Sequence, residues 1–348
     1  MGIMCQEDMQ YIACESNIDF RMFDGKSVLI TGATGLIGQN LVFAFLAANQ
    51  YLNINIEIFA LVRDLGRAEK MFGNYGSLHF FVGNITESIT LDVNVDYIIH
   101  AASQTSSRAF VDEPVETVMT AFEGTRNVLE YARKHPVISL LYMSTMEVYG
   151  SPLTDEKVYE NHHTNLDTMK VRSCYPESKR MCENLCACYC AEYGVPVKVA
   201  RLTQTFGPGV KYNDGRVFAE IARCAIEGKN IILHTKGETR RNYLYTADAV
   251  TGLLTVLLKG ENGAAYNVAN ESTYCSIFDM ASLVASECTD QPIQVIIQVE
   301  DEEKYGFAPV LHMNLDTSKL TELGWNAKYE LKEMYSRMIT DMLGVEQS

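Results

Sequence analysis

Short apolar runs separated by stretches of helical periodicity dominate the first two-thirds of the chain. Ser27-Val28-Leu29-Ile30 predicts a buried strand, followed by a glycine-rich turn and a helix through Leu41–Leu46. Ile54 to Val62, Leu78 to Val82 and Tyr97 to His100 predict the next three strands. A helix over Val115 to Lys134 leads into the apolar run Val137–Met143, a fifth strand ending at Ser144-Thr145-Met146-Glu147-Val148-Tyr149-Gly150. A long helix from Tyr175 to Tyr193 precedes a strand at Val197 to Leu202 and a turn at Phe206–Gly209. Strands alternating with helices predict an α/β fold, a doubly wound parallel sheet whose ligand crevice lies at the strand C-termini.

The pattern divides the chain unevenly. Residues 1–24 form a mixed polar arm without strong periodicity. Residues 25–205 carry the regular alternation, and 240–268 return to it through the apolar stretch Val250 to Leu258. Residues 206–239 and 269–348, where alternation is looser, predict a smaller, interleaved substrate-binding lobe.

Composition narrows the classes of function. Net charge is 29 − 44 = −15, which argues against nucleic acid and anionic membrane as partners. No apolar run spans a bilayer and no basic-then-apolar leader is present, so a cytoplasmic location is expected. Among the ten cysteines, Cys182, Cys186 and Cys190 would stack on one helix face. Paired CxxC spacing and accompanying histidines are missing, so no metal is expected and the thiols read as small buried hydrophobes.

Thr31-Gly32-Ala33-Thr34-Gly35-Leu36-Ile37-Gly38 follows a strand and opens a helix. Glycine permits close backbone approach, and a helix N-terminus offers free amides to a pyrophosphate. In that context the motif predicts dinucleotide binding on a Rossmann-type sheet. The second strand ends Val62-Arg63-Asp64. Arg63 suits a 2′-phosphate and Asp64 a ribose hydroxyl; the arginine favours NADP(H) over NAD(H).

Tyr175 and Lys179 are four residues apart on a predicted helix, about 6 Å along the axis. A neighbouring ammonium lowers a phenol's pKa, making a proton shuttle. Together with the glycine loop and Ser144-Thr145, this pair resembles the extended short-chain dehydrogenase/reductases, the nucleotide-sugar epimerases and dehydratases. Further family pattern lies in His100-Ala101-Ala102, Gly124–Leu129, Val148-Tyr149-Gly150, Arg201, Phe206-Gly207-Pro208 and Arg241–Asp248. The resemblance runs from about Lys26 to about Leu323.

It implies that Thr145 hydrogen-bonds the reacting hydroxyl, Tyr175 takes its proton and Lys179 orients tyrosine and cofactor. It also implies cofactor contacts from Gly32, Thr34, Gly35, Leu36, Ile37 and Gly38. Arg63, Asn84, Ile85, Ala101, Ala102 and Ser144 would continue that surface. A homodimer packed through the two long helices is implied as well.

Sugar 4,6-dehydratases carry Asp then Glu after this threonine; here stand Met146 and Glu147. A thioether has no proton to give a departing hydroxyl, so 4,6-dehydration is disfavoured. Arg172–Arg180 and Asn213–Val217 look most similar to UDP-glucuronate decarboxylases, in which Glu147 and Arg241 match important positions. Resemblance places substrate contacts at Ser103, Met146, Gln204, Arg216, Val217, His234 and Arg241, and the charge of Lys211 adds another candidate. The first reading is a decarboxylase- or epimerase-like enzyme that passes through a transient keto-sugar. The alternative is an NADPH-dependent reductase of a nucleotide-activated keto-sugar or ketose.

Overall fold

The computed structural model describes residues 6–91, 93–289, 291–299 and 310–346. Strands β1 (Ser27–Thr31), β2 (Glu57–Val62), β3 (Leu78–Val82), β4 (Tyr97–His100), β5 (Ser139–Thr145), β7 (Val197–Leu202) and β11 (Ala265–Val268) form one sheet. Their spatial order is β11-β7-β5-β4-β1-β2-β3, and every pairing is parallel. This is the doubly wound sheet that the alternation of strand and helix predicts.

Both faces are covered, which is why these strands are apolar at consecutive positions rather than alternating. On one face Val28, Ile30, Ile58 and Leu141 pack with the helices Leu36–Leu52 and Thr246–Lys259. On the other, Leu29, Ile98, Leu140 and Tyr142 pack with the helices Pro114–Lys134 and Cys174–Tyr193. The stretch Val250 to Leu258 lies inside the Thr246–Lys259 helix, deep in the first of these cores. Ile54–Ile56 is not strand: the preceding helix ends at Asn53 in the left-handed conformation, and pairing begins only at Glu57.

A second sheet runs β12 (Asn270–Ser276), β10 (Arg240–Tyr245), β14 (His312–Leu315) and β6 (Lys157–Val158), with β8 (Gln204–Phe206) also paired to β10. A two-stranded unit joins β13 (Val295–Ile297) to β9 (Ile231–Leu233). Of these small sheets, β8 reaches the crevice of the large one, through Gln204 and Thr205.

Residues 6–24 of the N-terminal arm pack on the core. They hold a helix at Gln6–Gln10 and a single 3-10 turn at Phe20–Phe23. Ile12, Phe20 and Phe23 are buried, and Phe23 meets Phe45 at 5.1 Å and Tyr97 at 4.7 Å. Asp8, fully buried, accepts from Tyr245 at 2.6 Å and from Arg337 at 3.2 Å, tying the arm to the C-terminal helix Leu331–Glu346.

Asp248 lies near this tie and is also fully buried, accepting the backbone N–H groups of Lys328 and Tyr329. Burial pushes its pKa up to about 7; those hydrogen bonds oppose the shift and neighbouring Asp8 adds to it. Between about pH 4 and 7 the folded chain therefore keeps a proton that the unfolded chain releases. The stability this proton supplies is complete below pH 4 and lost as pH rises through 7. An Asp248→Asn protein should consequently gain stability relative to wild type between pH 5 and pH 8, read as the difference in urea midpoints.

Candidate active site

A cleft of about 1710 Å³ opens along the C-terminal ends of β1, β2, β4, β5 and β7. Ordinary single-ligand pockets occupy about 300–1,000 Å³, so there is room for two ligands. At one end lies the glycine loop. Gly32 takes φ +69° because β1 turns sharply there, and a Cβ would lie 2.8 Å from the backbone of Ala102. A Cβ on Gly38 would lie 2.2 Å from the Gly32 carbonyl oxygen, so helix and strand meet at a distance only glycine allows.

The Leu36–Leu52 helix has Gly35 at its N-cap and no side-chain cap, leaving its first amides for an external acceptor. These residues fit a dinucleotide pyrophosphate. Asn84, Ile85, Ala101 and Ala102 line the same wall.

Arg63 lines the cleft just past β2, and Arg67 joins it one helical turn later, donating to the Thr34 carbonyl at 3.1 Å. Asp64 is occupied otherwise: its carboxylate caps the Leu65–Phe72 helix by accepting the Arg67 N–H at 3.0 Å.

The middle of the cleft brings Ser144, Thr145, Met146, Glu147, Tyr175 and Lys179 together. β5 delivers the first two, and the 3-10 turn Met146–Tyr149 delivers the next two, the Glu147 N–H donating to the Thr145 hydroxyl at 3.2 Å. Tyr175 and Lys179 enter from the start of the Cys174–Tyr193 helix. Tyr175 is 8% exposed; burial pushes its phenol well above the ordinary range, Glu147 adds to the rise, and a hydrogen bond with Thr145 and the charge of Arg172 oppose it.

The Tyr175–Lys179 electrostatics depart from expectation. The Lys179 ammonium donates to the Met143 carbonyl at 2.7 Å and lies 4.8 Å from the Tyr142 ring centre. Burial brings its pKa down to about 8, against the pull of Cys182 and Glu183. Shared helix face does not bring the two charged ends together, and the cation that moderates this phenol is Arg172.

Met146 is 6% exposed and packs among Val148, Val158 and Leu315, with the Thr203 hydroxyl 3.4 Å from its sulfur. Glu147 pairs with Arg172 at 3.1 Å. Ser103, Gln204, Lys211 and Arg216 also line the cleft, Arg216 held by Asp214 at 2.7 Å.

Val217, His234 and Arg241 lie outside the cleft lining among the described residues. Val217 begins a helix whose N-cap is Arg216, and His234 follows β9. Arg241 sits within the second sheet, opposite Cys275 and Met313, its Nε buried. Arg67, Phe110 and Arg172 are cleft or near-cleft residues that sequence reasoning had not singled out as site residues; only Arg67 carried a usable signal, its four-residue spacing from Arg63. No group of His, Cys, Asp and Glu suited to a metal occurs among the described residues.

A glycine cradle after β1 and a tyrosine–lysine pair beside the end of β5, in one cleft, define a nicotinamide-dinucleotide-dependent enzyme of Rossmann type. The model of the NAD dependent epimerase/dehydratase family matches residues 28–269, and the chain belongs to that family. UDP-glucuronic acid decarboxylase 6 of Arabidopsis thaliana is 30% identical over 308 residues, 88% of this chain and 85% of the relative. UDP-glucuronic acid decarboxylase 5 of the same plant is 29% identical over 339 residues, 96% of this chain and 93% of its own. The fold matches an epimerase of Methanothermobacter thermautotrophicus with TM-score 0.79 at 22% identity, covering 97% of each chain.

Proposed function

We propose that the protein removes the carboxylate of a nucleotide-linked hexuronic acid through a closed redox cycle at one ring carbon. The observation that carries this reading is the order of side chains leaving β5 into the cleft that Tyr175 also lines: the Thr145 hydroxyl, then a buried thioether, then Glu147. Expelling water from a sugar needs a proton donor beside the leaving hydroxyl, and Met146 has none to offer. Expelling carbon dioxide from a β-keto acid needs no such donor. The relatives named as decarboxylases support the same choice, and nothing in them favours net reduction.

In this reading Thr145 holds the C4 hydroxyl and Tyr175 takes its proton. A bound nicotinamide supplies hydride transfer at C4, outward and back. While C4 is the ketone, the C5–C6 bond breaks, carbon dioxide departs, and the electron pair passes to the C4 oxygen as an enolate. Protonation at C5 regenerates the ketone, and Tyr175 returns its proton when C4 is reduced. Lys179, anchored on Met143, orients the phenol's helix and the cofactor ribose. Ser103, Gln204, Lys211 and Arg216 flank the nucleotide-sugar, with the described parts of 206–239 and 269–348 mainly covering it. Purified protein given UDP-glucuronic acid and catalytic oxidised cofactor should release carbon dioxide and a nucleotide-linked pentose, with no net reduced cofactor. A 4-keto-6-deoxy product, or stoichiometric cofactor turnover, would sink the proposal.

The preferred cofactor is NADP(H). Arg63 and Arg67 together offer two guanidinium groups at the adenosine end, while the capping role of Asp64 withdraws the carboxylate that would hold a ribose. Arg63→Ala should weaken NADPH about 10- to 100-fold, the worth of a charge-assisted hydrogen bond, and NADH less than about threefold. Equal losses, measured by fluorescence titration, would remove the arginine from that role.

A homodimer through the two long helices suits their exposed Val115, Met119, Met181 and Tyr193. Unpaired cysteines, nine among the described residues, suit the reducing cytoplasm. No described helix is long and apolar enough to cross a membrane.

A further inference from the structure

Outside the residues that carry the proton chemistry, Phe110 stacks on the Tyr175 ring and Arg172 in turn lies over Phe110. Phe110, from the short helix Ala109–Asp112, lies face to face with Tyr175, the ring centres 4.3 Å apart and the planes only 10° from parallel. Arg172 sets its guanidinium carbon 4.7 Å from the centre of the Phe110 ring and donates from Nη2 to Glu147 at 3.1 Å. The Phe110 backbone is fixed too: its carbonyl accepts from the Cys174 thiol at 3.3 Å, the residue next to Tyr175. Phe110 is 2% exposed, yet it borders the cleft. A chain of contacts thus runs from Tyr175 to Phe110, Arg172 and Glu147, and Glu147 follows Thr145 by two residues in the same turn.

We infer that Phe110 is a positioning residue for the Tyr175 phenol, its flat face fixing the plane in which the hydroxyl reaches Thr145, with Arg172 and Glu147 bracing the Phe110 ring. The inference rests on the reading of Tyr175 as proton carrier. A tyrosine side chain has two soft torsions, and the second is broad in energy, so helix position alone leaves the ring plane free. A parallel aromatic face removes that freedom. Proton transfer depends steeply on placement, and an error near 1 Å costs about a hundredfold in rate. A ring that merely touched substrate would act on binding instead. The two roles separate kinetically, because loss of a positioning contact lowers kcat while loss of a ground-state contact raises KM.

The test compares Phe110→Leu with Phe110→Tyr, which keeps the flat ring. With the nucleotide-linked uronic acid as substrate, the leucine protein should lose about 30- to 100-fold in kcat with KM within about threefold, and the tyrosine protein should stay within about threefold of wild type on both. A rise in KM with kcat retained, or equal loss in both variants, overturns the inference. Phe110→Met, which fills volume without a flat face, stands in if the leucine protein fails to fold. Failure of wild type to turn over any such substrate would defeat the functional reading rather than this one. Crystal structures of the cofactor-loaded variants then decide: the Tyr175 hydroxyl should leave Thr145 in the leucine protein and stay with it in the tyrosine protein. A phenol that keeps its place in both overturns the assignment.

Discussion

Tyr175→Phe should lower kcat by about 10²- to 10⁴-fold, the range for loss of a positioned general acid–base, while folding stability moves by less than about 1.5 kcal/mol. The substitution removes one oxygen and leaves the ring on Phe110, 4.3 Å centre to centre. The hydroxyl faces the cleft near Thr145, another side chain of the site, so little of the core depends on it. The loss should fall on kcat rather than on affinity for the cofactor, for which the proposed contacts are the glycine loop, Arg63 and Arg67 rather than this hydroxyl. Burial and Glu147 hold the phenol above its ordinary value in this structure. Its ionisation during turnover therefore needs positive charge close by, from Arg172 and from a bound oxidised nicotinamide. Steady-state kinetics with cofactor titration decide the matter. Activity within tenfold of wild type would assign the proton to another group.

Some of this site was legible because its parts are local. A strand, three glycines and a helix occupy adjacent positions, and their physical roles follow from that adjacency. Tyr175 and Lys179 share a helix face by simple periodicity. The Phe110–Tyr175 stack was invisible for the opposite reason: Phe110 lies in a polar stretch 65 residues earlier and meets its partner only once the sheet is folded. Asp64 shows a subtler limit. A carboxylate at a strand end suits a ribose or a helix cap equally well, and only the hydrogen bond to the Arg67 amide separates the two. The arm escaped because its elements are about one turn long, too short for periodicity to register, although Phe20 and Phe23 anchor it in the core. Arg241 was expected at the substrate because its motif resembles the family's, but its strand lies inside the second sheet and the side chain falls outside the cleft lining. Lys179 was expected to work on the phenol beside it. Spacing along an axis says nothing of where a long flexible side chain ends, and this one ends on the Met143 carbonyl.

The largest loss of stability is expected from Arg201→Met. Arg201, on β7, binds Glu183 of the Cys174–Tyr193 helix through both Nε and Nη2, at 3.0 and 2.6 Å, with both side chains largely shielded from solvent. Its Nη1 donates to the Tyr149 hydroxyl at 2.8 Å and to the Glu160 carbonyl at 2.7 Å. The Tyr149 hydroxyl in turn donates to Asn267 on β11 at 2.6 Å, and Ser144 on β5 donates to Glu183 at 2.5 Å. Removing the guanidinium leaves a shielded carboxylate without its cation, which costs about 3–5 kcal/mol for a buried pair. The double variant Arg201→Met, Glu183→Met should recover most of that loss, because two apolar side chains leave no charge stranded. Urea unfolding of the two singles and the double gives the coupling directly; a single variant within 1 kcal/mol of wild type would show that solvent reaches the pair and screens it. The same network holds Ser144, and through it the end of β5 that presents Thr145. A folded Arg201→Met protein should therefore also lose about tenfold or more in kcat, since small shifts of reacting groups are costly in rate. That loss would separate this network from purely structural ion pairs remote from the cleft, such as Lys332–Glu287, whose removal should leave turnover unchanged.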